Sequence, residues 1–288
     1  MFHVKHNSVK KEVKGRKGMK KSVFAAIALC LCVLAFSACK QNVTDNHNND
    51  GNENDISSET REEIPAPEYT IKTDPLTDTV SFKESEELIY SKTVERVRVT
   101  AHHDAYVEAA KKIATTMKRA TDRNEKQAEE LKQSILNSFS GEDMTGLPWS
   151  LEAKYEVKSS AGKTVCILEH IYHNAGGAYP VYADFAYNFD AATGKQLYLD
   201  ELLPEDDDKK WEFEELLRKK LDEKYPETVQ ESFIQTTVTD MAVDTWYLTE
   251  NGMTVWFNEQ ELAPHAAGKL EIELARDELP EGVLQYMN

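Results

Sequence analysis

Between His170 and Tyr182 the chain gathers two imidazoles, an amide, paired glycines and three phenols. Each group has a chemistry that its spacing permits or denies. His170 and His173 invite a metal, but on one strand an odd spacing sends them to opposite faces. Zinc also wants three or four ligands, and no H-x-x-x-H or paired-cysteine pattern accompanies them. Gly176-Gly177 would suit a phosphate cradle only within a strand–loop–helix unit carrying a following Lys-Ser/Thr, which is missing. A sharp turn fits better, because glycine tolerates positive φ and close backbone approach. What remains is a loop of His173, Asn174, Gly176, Gly177, Tyr179, Pro180 and Tyr182. Aromatic rings beside amide and imidazole groups suit a sugar face or a protein cleft. The competing reading is that these tyrosines simply cap a sheet.

Other reactive groups point to structure. In His102-His103-Asp104 the acid reads as an N-cap or first-turn residue of a helix. Asp206, Asp207 and Asp208 precede a helical pattern and complement its N-terminus, a simpler reading than a calcium loop. His265 follows Ala263-Pro264 in a loop of small residues and reads as part of a turn. Cys166 sits inside a strand pattern as a small buried hydrophobe. No serine–histidine–acid set or carboxylate pair is assignable from spacing. The expectation is therefore no catalytic residue, no metal and no cofactor.

Cys39 carries a different message. Sixteen uncharged residues, Val23 to Ala38, follow a Lys/Arg-rich start and end in Ser37-Ala38-Cys39. The run is short for a membrane span, which needs roughly 20 apolar residues, but suits a signal-peptide core. Its ending resembles a bacterial lipobox, so residues 1–38 are expected to be removed and Cys39 diacylated. An uncleaved anchor helix is the alternative. Met19-Lys20-Lys21 opens a signal peptide of ordinary proportions, which makes Met19 the expected start. Met1 to His6 back-translates to a perfect palindrome that looks like a chromosome-partition site. The full chain has 34 basic and 51 acidic residues; residues 1–38 hold eight and one of these, so from Cys39 onward 26 face 50, a charge of −24. Such a charge excludes nucleic acid, favours basic partners and leaves acyl chains as the membrane attachment. The expected location is the extracytoplasmic face of the cell membrane.

The elements that must position the loop follow from periodicity. Residues 39–67 are polar and acidic and predict a disordered tether spanning about 30 Å as a coil and roughly 90 Å when straight. Residues 77–82 and 88–100 read as strands. Helical spacing then links Tyr106, Ala110, Ile113, Met117 and Ala120, and again Ala128, Leu131, Ile135 and Phe139. This predicts one long helix or two, broken near 121–124. Leu151, Ala153, Tyr155 and Val157 alternate with polar residues, and strands follow at 165–172, 181–189, 246–248 and 253–257. A helix pattern of Trp211, Leu216, Leu217 and Leu221 intervenes, Asn251-Gly252 marks a hairpin turn, and Leu270, Ile272 and Leu274 form a last strand. Without regular βαβ alternation the class is α+β, a mainly antiparallel sheet packed with one long and one shorter helix. Parts 68–150 and 151–288 are expected to form one globular unit.

Five fragments give the chain a family likeness. They are Gly176-Gly177-Ala178-Tyr179; Asn188-Phe189-Asp190; Thr193 to Leu197 with Leu199-Asp200-Glu201-Leu202; Tyr247 to Gly252; and Glu261 to Gly268. In this order and spacing they resemble the bacterial extracytoplasmic family known as domain of unknown function 3298. Residues 68–150 likewise resemble its smaller partner, domain of unknown function 4163. The first family includes the outer domain of an anti-sigma factor that is a lysozyme receptor, and non-catalytic regions of peptidoglycan deacetylases. The resemblance implies an α+β envelope module that contacts peptidoglycan or a basic, lysozyme-like protein. Tyr179 stands where the family often has His. The alternative function is a wall-glycan deacetylase or hydrolase.

Overall fold

Two long strands open the fold: β1 (Tyr69–Ser81) and β2 (Leu88–Ala101), antiparallel along their length. A computed structural model describes residues 64–81, 87–138, 148–234 and 236–288; Cys39, the signal segment and residues 39–63 of the tether lie outside the described residues. The first strand begins well before the expected residue 77. Pro75 masks it in the sequence, yet β1 is an edge strand, where a missing N–H costs no ladder bond. From β2 the chain enters α1 (Val107–Ser138) and returns as β3 (Trp149–Ser159), which pairs with β2 in parallel. A parallel pair needs such a crossover, and the helix supplies it. Then β3, β4 (Thr164–Asn174) and β5 (Val181–Asp190) run as an antiparallel meander, closed by β6 (Gln196–Leu197).

The long helix is unbroken. Its apolar stripe of Ala110, Ile113, Met117 and Ala120 resumes at Ala128, Leu131 and Ile135, and all seven are buried on the sheet. Thr121 and Asn124, in the interval that suggested a break, are buried as well. Thr121 Oγ1 donates to the Glu95 carbonyl at 3.2 Å and Asn124 Nδ2 to Glu169 Oε1 at 2.6 Å. Polar side chains with partners are compatible with burial, so the interruption in hydropathy marks a polar contact rather than a helix end.

A second layer follows. After α2 (Leu199–Leu202) come α3 (Asp207–Lys224), α4 (Val238–Met241) and a three-stranded antiparallel sheet of β7 (Trp246–Leu248), β8 (Gly252–Phe257) and β9 (Leu270–Ala275). A short helix, α5 (Glu281–Leu284), closes the chain. Asp206 caps α3, its Oδ1 accepting from Lys209 N at 3.0 Å, with Asp207 and Asp208 in the first turn. Phe213, Leu217 and Leu221 recur at every fourth residue and face the small sheet, packing in one core with Val255 and Ile272. Trp211, expected on that stripe, is 59% exposed, because a residue two before Phe213 lies nearly opposite it on a 3.6-residue period. Gly252 serves its hairpin through closeness: a Cβ there would stand 1.9 Å from the Leu274 carbonyl oxygen of β9.

β5 joins the two layers. Ala186 N donates to the Asp244 carbonyl at 2.7 Å, while the Asn258 amide pairs with the Asp184 backbone, accepting at 2.8 Å and donating at 3.1 Å. Trp256 packs on Cys166, Leu168 and Ala186, and its indole N–H donates to the Asp184 carbonyl at 3.1 Å. Burial pushes the Cys166 thiol up to about 12, so it behaves as a small apolar side chain. The molecule is thus α+β, with a mainly antiparallel six-stranded sheet, one long helix and a shorter one.

Candidate binding surface

The β4–β5 connection turns on Gly176, whose φ is +72° and whose Cβ would stand 2.1 Å from the Trp149 indole nitrogen. Only glycine fits both demands. Asn174 fixes the same turn: its Nδ2 donates to the Pro148 carbonyl at 3.0 Å and its Oδ1 accepts from Gly176 N at 3.1 Å. These two residues hold the loop's shape. Gly177 has a Cβ position near only the Tyr179 carbonyl, at 3.7 Å.

Aromatic rings emerge on either side of this turn. Tyr179 is 69% exposed and its ring lies 4.7 Å from the His265 ring, tilted by 36°. His265 belongs to the short 3-10 turn His265–Ala267, with Nδ1 3.0 Å from Glu259 Oε2. Tyr182, 50% exposed, packs at 5.1 Å on Tyr172, its directly opposite residue on β4. Val181 adds exposed apolar surface between them, next to a half-buried Pro180. Tyr172 and His265 were not among the sequence candidates. Tyr172 was readable from strand pairing with Tyr182, whereas nothing local links Tyr179 to His265.

The two histidines separate as the odd spacing predicts. Along β4, His173 shares the α1 face with Glu169, and burial lowers its pKa. His173 therefore does not join Tyr182. His170 shares the other face with Tyr172; its Nδ1 lies 2.8 Å from Asp184 Oδ1 and its Nε2 3.5 Å from Glu156 Oε2. Asp184 Oδ2 also meets Lys269 Nζ at 2.6 Å, and that ammonium sits 5.6 Å from the centre of the Trp256 ring. The hydrogen bond to Asp184 is the main cause of a raised His170 pKa. For Asp184, burial works upward, but His170 and Lys269 outweigh it and the net direction is down.

A second polar cluster lies under α1. Glu169 is fully buried and accepts four hydrogen bonds: Arg123 at 2.5 Å, Asn124 at 2.6 Å, Tyr155 at 2.9 Å and Tyr187 at 3.0 Å. Burial first, and the Glu169 charge second, raise the pKa of both phenols, which stay protonated donors. Every lone-pair direction of the carboxylate is used. The cluster holds α1 to β3, β4 and β5, and the Glu169 carboxylate has no acceptor position left for a substrate.

Geometry thus defines an α+β domain whose helix-backed sheet is joined through β5 to a smaller sheet, with an exposed aromatic surface at one end of the join. Residues 200–277 match the family described as "Protein of unknown function (DUF3298)". That stretch holds α2 to β9 and the last two of the five fragments. Two solved structures are similar over most of the fold. One is a DUF3298 member from Bacteroides fragilis NCTC 9343, with 14% identity and a TM-score of 0.55, covering 76% of this chain and 97% of that one. The other is a DUF3298 protein from Pseudomonas aeruginosa PAO1, with 17% identity and a TM-score of 0.51, covering 75% of this chain and 93% of that one. At such identities the likeness is one of fold. A comparison with curated proteins gives no match.

Proposed function

We propose that the chain is a lipid-anchored binding module of the bacterial cell envelope, held on the extracytoplasmic face through Cys39. Its partner is wall glycan or a basic wall-degrading protein such as lysozyme. The observation that carries this reading is the pair of exposed aromatic contacts, Tyr179 on His265 and Tyr182 on Tyr172. Exposed rings held by neighbouring rings lose little freedom on binding and offer flat apolar area beside polar groups. An acidic domain steers basic proteins toward it, and the rings add what charge lacks, a shape.

The test compares the wild type with Tyr179→Ala/Tyr182→Ala for binding to lysozyme and to peptidoglycan fragments at physiological salt. If both rings are anchors, the double change weakens binding by about 2 kcal/mol or more. Circular dichroism and thermal unfolding are expected to stay at wild-type values, since neither ring is buried. A wild type that binds neither probe refutes the proposal.

A further inference from the structure

At the far end of β9 from His265, a groove of about 740 Å³ runs between α3 and the C-terminal turn. Its volume lies within the range of ligand sites, roughly 300–1,000 Å³. The floor has half-buried Leu203 and Leu216, beside Phe213 and Leu279, which are buried in the core. Carboxylates line its rim. Glu201 and Glu278 are occupied, with Lys195 at 2.8 Å and Lys220 at 2.7 Å. Glu212, Asp277 and Glu281 are exposed and have no ion-pair partner among the described residues, and Lys209 is the one basic residue lining the groove. The walls are firmly seated: Val283 and Met287 are buried in the core behind α5, as is Leu217 behind α3.

An apolar floor between three uncompensated acids calls for a ligand that is greasy along its middle and positive at its flanks. We propose that this groove binds a cationic polypeptide segment of a partner protein, burying leucine-like side chains on Leu203 and Leu216 and setting Lys or Arg against Glu212, Asp277 and Glu281. A peptide fits an open groove better than a small amine does, because floor and rim are engaged together only by a chain that alternates apolar and basic groups. The site stands apart from the tyrosine surface and does not depend on it.

The experiment titrates the full chain, in detergent, with a short synthetic peptide of alternating Leu and Lys, followed by calorimetry at physiological salt. One-to-one binding is expected. A peptide with Ser in place of Leu, equal in charge, should bind at least about tenfold more weakly, because charge alone gives little affinity once screened. Glu212→Lys/Asp277→Lys/Glu281→Lys should lose at least about tenfold, whereas Glu227→Lys/Asp222→Lys/Glu250→Lys, the same change in net charge on exposed residues elsewhere, should lose far less. Tyr179→Ala/Tyr182→Ala should bind the peptide as the wild type does, which separates this site from the tyrosine surface. No binding by the wild type, equal binding of the Ser peptide, or equal losses in the two charge-reversed variants would overturn the proposal.

Discussion

Glu169 shows how one residue can govern a region. It is a charge with no exposure, stable only because Arg123, Asn124, Tyr155 and Tyr187 all donate to it. Removing one partner of a buried pair leaves the others desolvated and unpaired, at a cost of about 3–5 kcal/mol. Arg123 is partly exposed and can turn to water, which places Glu169→Ala near the lower end of that range. Urea unfolding of the variant measures this, and a loss below about 1 kcal/mol would mean the cluster is not stabilising. Sequence reading passed over Glu169, because a single acid within a strand of apolar residues has no signature of its own. Its partners come from α1, β3 and β5 and meet only in the folded chain.

At the level of elements, the contact between sheets is partly ionic. Asp184 on β5 bridges His170 on β4 and Lys269 before β9. The folded pKa of His170 is raised, so its contribution is complete below its unfolded value, about 6.5, and is lost as pH rises through the folded value. The folded pKa of Asp184 is lowered, so its contribution is present above about 3.9 and is lost as pH falls through the folded value. The joint is therefore strongest between about pH 4 and 6.5. The wild type should exceed His170→Gln in thermal stability most in this window, and the gap should close in mildly alkaline solution. A gap that is flat or widens with rising pH would rule out the His170–Asp184 pair as its source. His170 is more than a third exposed, so water screens the pair and the effect is modest.

For the molecule as a whole, the proposed function assigns attachment and recognition to different parts of the chain. Among the described residues no helix is long and apolar enough to cross a membrane. With a charge of −24 from Cys39 onward, the chain repels rather than attracts anionic lipid. If Cys39 is lipidated as proposed, Cys39→Ala should leave the precursor unprocessed or release the protein from the membrane fraction, because among the described residues no helix could replace the acyl chains as an anchor. Immunoblotting of fractionated cells checks this. A variant that is cleaved normally and still sediments with membranes would refute the lipid anchor.

What the sequence determined by itself was whatever is encoded locally. Alternation placed β3 and β9, a turn before an apolar run placed β4, helical spacing placed α1, and Asp206 to Asp208 marked the start of α3, since backbone geometry and capping act over a few residues. The family likeness was legible for the same reason, being carried by short fragments in order. The structure decided what depends on contacts between distant segments. Thr121 and Asn124 are helical because Glu95 and Glu169 receive their side chains. His173 leaves the loop's surface for the α1 face, while Tyr172 and His265 join it through β4–β5 pairing and a contact with Tyr179. The groove's rim likewise comes from α2, α3 and the C-terminal turn, whose acids look like ordinary solvated residues until folding sets them around one apolar floor.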